Sequence, residues 1–114
     1  EKHRARDENQ VHLAAAFADW GIPTAEAILN VRRVAPELLV FASGGLRSGV
    51  DVAKCLALGA SLGGIATPFL KAASHSLEKT IETSAGIYRE LQVCMFAAGA
   101  GSLEELRRIE LIRR

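Results

Sequence analysis

Two short apolar runs set the limits on what this chain can fold into. Residues 38–42 read Leu-Leu-Val-Phe-Ala and residues 60–66 read Ala-Ser-Leu-Gly-Gly-Ile-Ala. The first is continuous and of strand length, the pattern of a strand buried on both faces in a parallel sheet. The second is apolar, carries Gly63 and Gly64, and is broken by Thr67-Pro68. Between them, Val50, Val52, Ala53, Leu56 and Ala57 recur at helical spacing over 48–58, with Asp51 near the start and Gly59 just past the end. This is one strand-helix-strand crossover, expected to be right-handed. No other segment reads as a strand. Two parallel strands alone leave a face and both edges open, so they do not make a stable sheet. The sequence therefore predicts part of a larger α/β fold rather than a self-sufficient one, and the absence of an initiator Met at Glu1 fits that expectation.

Helices flank the crossover. Residues 1–10 mix charges of both signs without an apolar period and read as a loop, or the end of an insertion, with 11–114 forming the folded segment. A short helix is expected over 11–20, ended by Gly21 and Pro23. Thr24 then offers an N-cap to a helix bearing Ile28, Val31, Val34 and Ala35 on one face and closed by Pro36. After Pro68 a helix starts at Phe69. A longer one over 76–97 aligns Leu77, Ile81, Ala85, Tyr88, Leu91 and Met95. Gly99 and Gly101 interrupt it, and Ser102 with Glu105 forms a capping box for a last turn.

Composition narrows the class. Apolar residues are 49% and charged residues 24%, which fits a globular chain rather than a disordered one. Fourteen Lys and Arg against 13 Asp and Glu leave a formal charge of +1, so the clustered basic excess of a nucleic-acid binder is absent. No apolar run approaches the roughly 18 residues of a membrane span, and the charged N-terminus has no signal-peptide core. A cytoplasmic location is expected. Cys55 and Cys94 read as buried or half-buried free thiols of a reducing compartment. Neither has zinc-ligand spacing with His3, His12 or His75.

Parallel α/β sheets bind ligands at the C-terminal ends of their strands. Here those ends are Ser43-Gly44-Gly45-Leu46-Arg47-Ser48-Gly49 and Ala66-Thr67-Pro68. Adjacent Gly44 and Gly45 allow a backbone to approach an anion, and Arg47 adds a fixed positive charge. Two helix N-termini, near Ser48 and Phe69, would favour a phosphate at the same place. The alternative is that Gly44 and Gly45 make only a tight turn and Arg47 is a surface charge. The spacing Gly-Gly-x-x-x-Gly is neither a nucleoside-triphosphate loop nor a dinucleotide fingerprint. Asp51 reads as a partner of its helix dipole, Lys54 and Lys71 as solvated, His75 as a cap or a solvent-facing group, and Asp19 and Trp20 as structural.

The segments Phe17-Ala18-Asp19-Trp20-Gly21-Ile22-Pro23-Thr24, Ala42-Ser43-Gly44-Gly45-Leu46-Arg47-Ser48-Gly49-Val50-Asp51-Val52-Ala53-Lys54, Leu56-Ala57-Leu58-Gly59-Ala60 and Gly64-Ile65-Ala66-Thr67-Pro68-Phe69-Leu70-Lys71 resemble the C-terminal part of type 2, FMN-dependent, isopentenyl-diphosphate delta-isomerases. The resemblance covers nearly the whole chain and is weakest in the first ten residues and after Ser102. The glycine-rich stretch alone occurs across FMN-dependent barrel oxidoreductases. Ser43, where 2-hydroxy-acid oxidases usually carry Asp, and Thr67, where they usually carry Arg, favour the isomerase, as does the Asp-Trp-Gly-Ile-Pro-Thr block.

The resemblance implies the C-terminal part of a TIM (β/α)8 barrel, with these strands as its seventh and eighth. It implies FMN held at its phosphate by Gly44, Gly45, Leu46, Arg47, Ala66 and Thr67, mostly through main-chain N–H groups, so that Leu46 and Ala66 act by position. It further implies interconversion of isopentenyl diphosphate and dimethylallyl diphosphate with reduced FMN, NADPH and Mg2+, and a homo-oligomer. The family's substrate-binding, metal-ligating and acid–base residues belong to earlier strands, so no catalytic and no metal residue is assigned in this chain, which would be inactive without the rest of its barrel. Two alternatives stay open. One is an FMN-dependent oxidoreductase of the 2-hydroxy-acid oxidase type, which would need a His base that no strand end here supplies. The other is a non-catalytic phosphate-binding half-barrel that assembles with another chain.

Overall fold

A computed structural model describes residues 7–114. In chain order the elements are α1 (Glu8–Ala16), α2 (Thr24–Val34), β1 (Phe41–Ala42), α3 (Gly49–Ala57), β2 (Leu62–Gly63), α4 (Thr67–His75), α5 (Leu77–Ala98) and α6 (Leu103–Leu106). The expected sequence of elements is present, with shifted ends. The Asp7 carboxylate accepts a hydrogen bond from the Gln10 N–H at 2.8 Å, so α1 begins inside the segment read as a loop. It stops at Ala16, short of Trp20, in a turn where Phe17 and Trp20 meet edge to face at 5.7 Å. His3 and the rest of residues 1–6 lie outside the described residues.

The two strands pair in parallel, Phe41 with Leu62 and Ala42 with Gly63, and α3 forms the crossover between them. Both are shorter than their apolar runs. A ladder extends only where two backbones meet, and here it adds only the bonds from Ser61 N–H to Val40 C=O and from Gly64 N–H to Ala42 C=O. Alternation of side chains then divides the sheet into two unequal faces. Ala42 is 4% exposed and packs inward, and a Cβ on Gly63 would touch Val52 of α3 at 3.1 Å. Phe41 and its register partner Leu62 are 69% and 54% exposed on the other face.

The core is in two parts, joined by α3. Ile28, Ala42, Leu46, Cys55 and Ala60 form the first, which ties α2 to β1 and to the start of α3. Ala53, Leu56, Ala100 and Leu106 form the second, supported by Leu91 and Met95 of α5. The apolar face expected along α5 is thus used only in its C-terminal half. Leu77, Ile81 and Tyr88 remain exposed, while α3 packs against α5 from Ile87 to Met95. Similarly, α2 buries Ile28 alone, leaving Val31 and Val34 exposed.

The accessible surface measures this deficit. It is 9053 Å², against about 6,000 Å² for a folded monomer of this mass. The radius of gyration is 16.5 Å, against about 13 Å for a compact domain of this length. Apolar surface of that extent is what helices and strands of a larger barrel would cover.

Three helix ends follow local side-chain chemistry and one departs from it. Ser48, Ser76 and Ser102 cap α3, α5 and α6 through their hydroxyls. In the last, only half of the expected capping box forms: Ser102 accepts from Glu105 N–H, but the Glu105 carboxylate accepts from Gly101 N–H at 2.6 Å, one residue before the cap. Gly99 ends α5 in the left-handed region at φ 74. Thr24, however, is the first residue of α2 rather than its cap. Pro23 occupies the cap position, and the Thr24 hydroxyl donates instead to the Gly44 carbonyl at 2.9 Å.

Both cysteines are free thiols, Cys55 buried and Cys94 half-buried. Burial, with the Asp51 carboxylate as a smaller contributor, pushes the Cys55 thiol above its ordinary value. Since the thiolate is the reactive form, a maleimide at neutral pH is expected to label Cys94 well before Cys55 in the folded protein. Equal labelling rates by mass spectrometry would contradict this.

Candidate phosphate-binding site

β1 ends at Ala42 and delivers the chain into the glycine loop, while β2 delivers it to Ala66 and the start of α4. Because the strands are parallel neighbours, the two loops emerge side by side. They enclose a cavity of about 150 Å³ lined by Ser43, Gly44, Gly45, Leu46, Arg47, Gly64, Ala66 and Thr67. All six residues singled out from the sequence therefore meet in one place. Ser43 and Gly64 join them. Both adjoin the short strands, and the Ser43 hydroxyl donates to the Gly64 carbonyl at 3.4 Å across the sheet. At about 30 Å³ per water, the cavity has room for a group the size of a phosphate.

Gly44 and Gly45 both have positive φ, 98° and 83°. A side-chain-bearing residue adopts such values only with strain, so this pair is what the loop's path requires. Leu46 then turns inward and packs with Ile28, Cys55 and Ala60. Its side chain anchors the loop, a role beyond the positional one expected for it. Leu46→Ala is expected to lower stability by about 2–5 kcal/mol, read as a fall in thermal midpoint. An unchanged midpoint would show that the loop does not hang on this side chain.

The donors divide unevenly. Among the described residues, the main-chain N–H groups of Gly44, Gly45, Leu46, Ala66 and Thr67 have no protein acceptor. The N–H of Arg47 does have one, since it donates to the Asp51 carboxylate at 2.9 Å. Arg47 is therefore left to act through its guanidinium, which no carboxylate among the described residues pairs. Asp51 stands in the first turn of α3, as expected of a dipole partner, and also holds the loop's far end.

The start of α4 differs from the other helices that follow a serine. Ala66 stands at its cap position with no side-chain hydrogen bond, and Pro68 follows. An uncapped first turn presents unsatisfied N–H groups and the positive end of the helix dipole. Main-chain donors from two loops, one guanidinium that no carboxylate among the described residues pairs, and an open helix N-terminus form a donor-rich surface, which is the chemistry of an oxyanion site. The loop residues thus fit the phosphate of a flavin mononucleotide. Lys54 and Lys71 are exposed, and His75 ends α4 in solvent. Among the described residues no group of three or more His, Cys, Asp and Glu is placed to hold a metal. No helix among them is long and apolar enough to cross a membrane.

Residues 17–113 match the family described as FMN-dependent dehydrogenase. An isopentenyl-diphosphate delta-isomerase from Xanthobacter autotrophicus is 50% identical over 99 residues, 87% of this chain and 29% of that protein. The protein of the same name from Nostoc is 42% identical over 114 residues, 100% of this chain and 33% of its own length. Among solved structures, mandelate oxidase with (S)-2-phenylpropionate superposes with a TM-score of 0.75 at 29% identity, covering 81% of this chain and 28% of that one. The chain spans about a third of the length of the curated relatives it matches.

Proposed function

The chain belongs to the FMN-dependent dehydrogenase family, and from that premise we propose that it is the FMN phosphate-binding segment of a type 2 isopentenyl-diphosphate delta-isomerase. The fold is a segment of a TIM barrel. In this reading β1 and β2 are the seventh and eighth strands, and earlier strands of the full-length protein cover Phe41, Leu62 and the open edges. The carrying observation is the cavity of about 150 Å³ that gathers Gly44, Gly45, Leu46, Arg47, Ala66 and Thr67.

The residues divide the work by chemistry. Gly44, Gly45 and Leu46 offer main-chain donors on one side, and Ala66 and Thr67 offer them on the other. Arg47 supplies the balancing charge. When bound, FMN would supply a flavin ring able to support allylic isomerisation without net redox change. NADPH as the reductant, Mg2+ on the substrate diphosphate, a homo-oligomeric assembly and a cytoplasmic location belong to the same proposal. The names of the most similar relatives support isopentenyl and dimethylallyl diphosphate as the substrates. His12 lies on α1 and His75 ends α4, both exposed and neither at a strand end. Among the described residues, then, no His stands at a strand end, where 2-hydroxy-acid oxidation would need its base.

The test is purification of the full-length protein, followed by flavin analysis and turnover. Retained FMN and isomerisation of isopentenyl diphosphate dependent on reduced flavin and Mg2+ are expected. Oxidation of a 2-hydroxy acid without isomerisation would select the oxidase. Failure to retain flavin would sink both and leave the non-catalytic half-barrel. Within that protein, Arg47→Ala should weaken FMN about tenfold or more, the worth of a charge-assisted hydrogen bond. Titration by flavin fluorescence measures it, and an unchanged affinity would remove Arg47 from the site.

A further inference from the structure

Two side chains outside the cavity's lining hold the loop from opposite ends. The Thr24 hydroxyl, from the start of α2, donates to the Gly44 carbonyl at 2.9 Å across 20 residues of sequence. The Asp51 carboxylate, from the first turn of α3, accepts from the Arg47 N–H at 2.9 Å. The span they hold begins with Gly44 and Gly45, both at positive φ and, as glycines, the residues with the least intrinsic backbone restraint. We propose that Thr24 and Asp51 are positioning residues, a pair of clamps that preset the loop's free N–H groups for the phosphate. The inference rests on reading the cavity as the phosphate site.

Each clamp has a chemical signature. Thr24 engages the one polar group of Gly44 that would repel an anion, its carbonyl, and fixes it on α2. Asp51 spends its carboxylate on the main chain of Arg47 and leaves the guanidinium unpaired. A direct ion pair would have withdrawn the charge the phosphate needs. The arrangement also places an anion beside an anion site, so Asp51 acts by its acceptor atom and against its own charge. Preorganised donors bind more tightly because ordering is complete before the ligand arrives.

The experiment compares FMN with riboflavin, which lacks the phosphate, in the full-length protein by flavin fluorescence titration. The wild type should prefer FMN. Thr24→Val and Asp51→Ala should each lower FMN affinity about tenfold, near the upper worth of one hydrogen bond, and leave riboflavin affinity unchanged. Thr24→Ser and Asp51→Asn keep the hydroxyl and the acceptor and should retain FMN, the second binding at least as tightly as the wild type because a like charge is gone. A wild type indifferent to the phosphate would overturn the site reading itself. If the wild type prefers FMN, the clamps alone are overturned by variants that keep the preference, or by losses that fall equally on riboflavin.

Discussion

Gly45→Asp should strip FMN from the full-length protein while leaving its helix content intact. A Cβ at Gly45 meets nothing within 4 Å, so the loop has space for a side chain. The loss comes from two other sources. At φ 83° an L-residue is strained, by about 1–2 kcal/mol. The added carboxylate also faces the phosphate. At about 4 Å in a surface-like dielectric, each pair of like charges costs about 4 kcal/mol, which corresponds to roughly a thousandfold in affinity. Two companions separate the terms. Gly45→Ala should lose only the strain contribution, and Gly45→Asn, close in shape to Asp but neutral, should retain most of the binding. Flavin content after gel filtration, with circular dichroism as the check on folding, reads the outcome. Normal FMN retention in Gly45→Asp would reduce the loop to a turn.

Gly49→Ala is expected to be the most destabilising single-methyl change in the chain. Gly49 opens α3 where that helix crosses α5. An added Cβ would lie 2.2 Å from the Ile87 carbonyl oxygen and 2.6 Å from the Leu91 nitrogen. Both are main-chain atoms inside a 22-residue helix, so neither can rotate away, and one helix must move. Overpacking of this kind costs about 3 kcal/mol, enough to outweigh the roughly 1 kcal/mol by which Ala is the better helix former. Gly86, on the exposed side of α5, isolates that second effect. Nothing lies within 4 Å of its Cβ position, so Gly86→Ala should stabilise by up to about 1 kcal/mol. Thermal melts of the two variants should move in opposite directions. A stabilised Gly49→Ala would mean that α3 and α5 are not in backbone contact.

These two glycines mark what kind of information the sequence carries. Gly45 was recognisable in the chain because its cue is local, a glycine pair after an apolar run and before a capped helix. The Ser102 cap was legible for the same reason, since a cap and the N–H it bonds lie three residues apart, and Ser48 and Ser76 cap their helices at the same spacing. Gly49 belongs to the same motif, yet its purpose lies nearly 40 residues away on α5, and nothing local points there. Thr24 was misread because its spacing suits an N-cap, while its actual partner, Gly44, arrives from another element. Asp51 is four residues from its partner, and the pairing could have been found. A carboxylate one helical turn after a loop residue is a standard acceptor for that residue's N–H.

By itself, the sequence determined the order of the elements, the parallel crossover and the six residues that line one cavity at the strand ends. Hydrophobic period, glycine, proline and serine act over a few residues, and parallel neighbours bring the ends of successive strands together. Only the tertiary structure decided which apolar faces are covered and what holds the loop in place. The face of α5 reads as continuous, but α3 covers only its C-terminal half. Leu46 is a core residue because Ile28, Cys55 and Ala60 converge on it. Burial depends on which surfaces meet, and that is set by the packing of distant elements rather than by the pattern within any one of them.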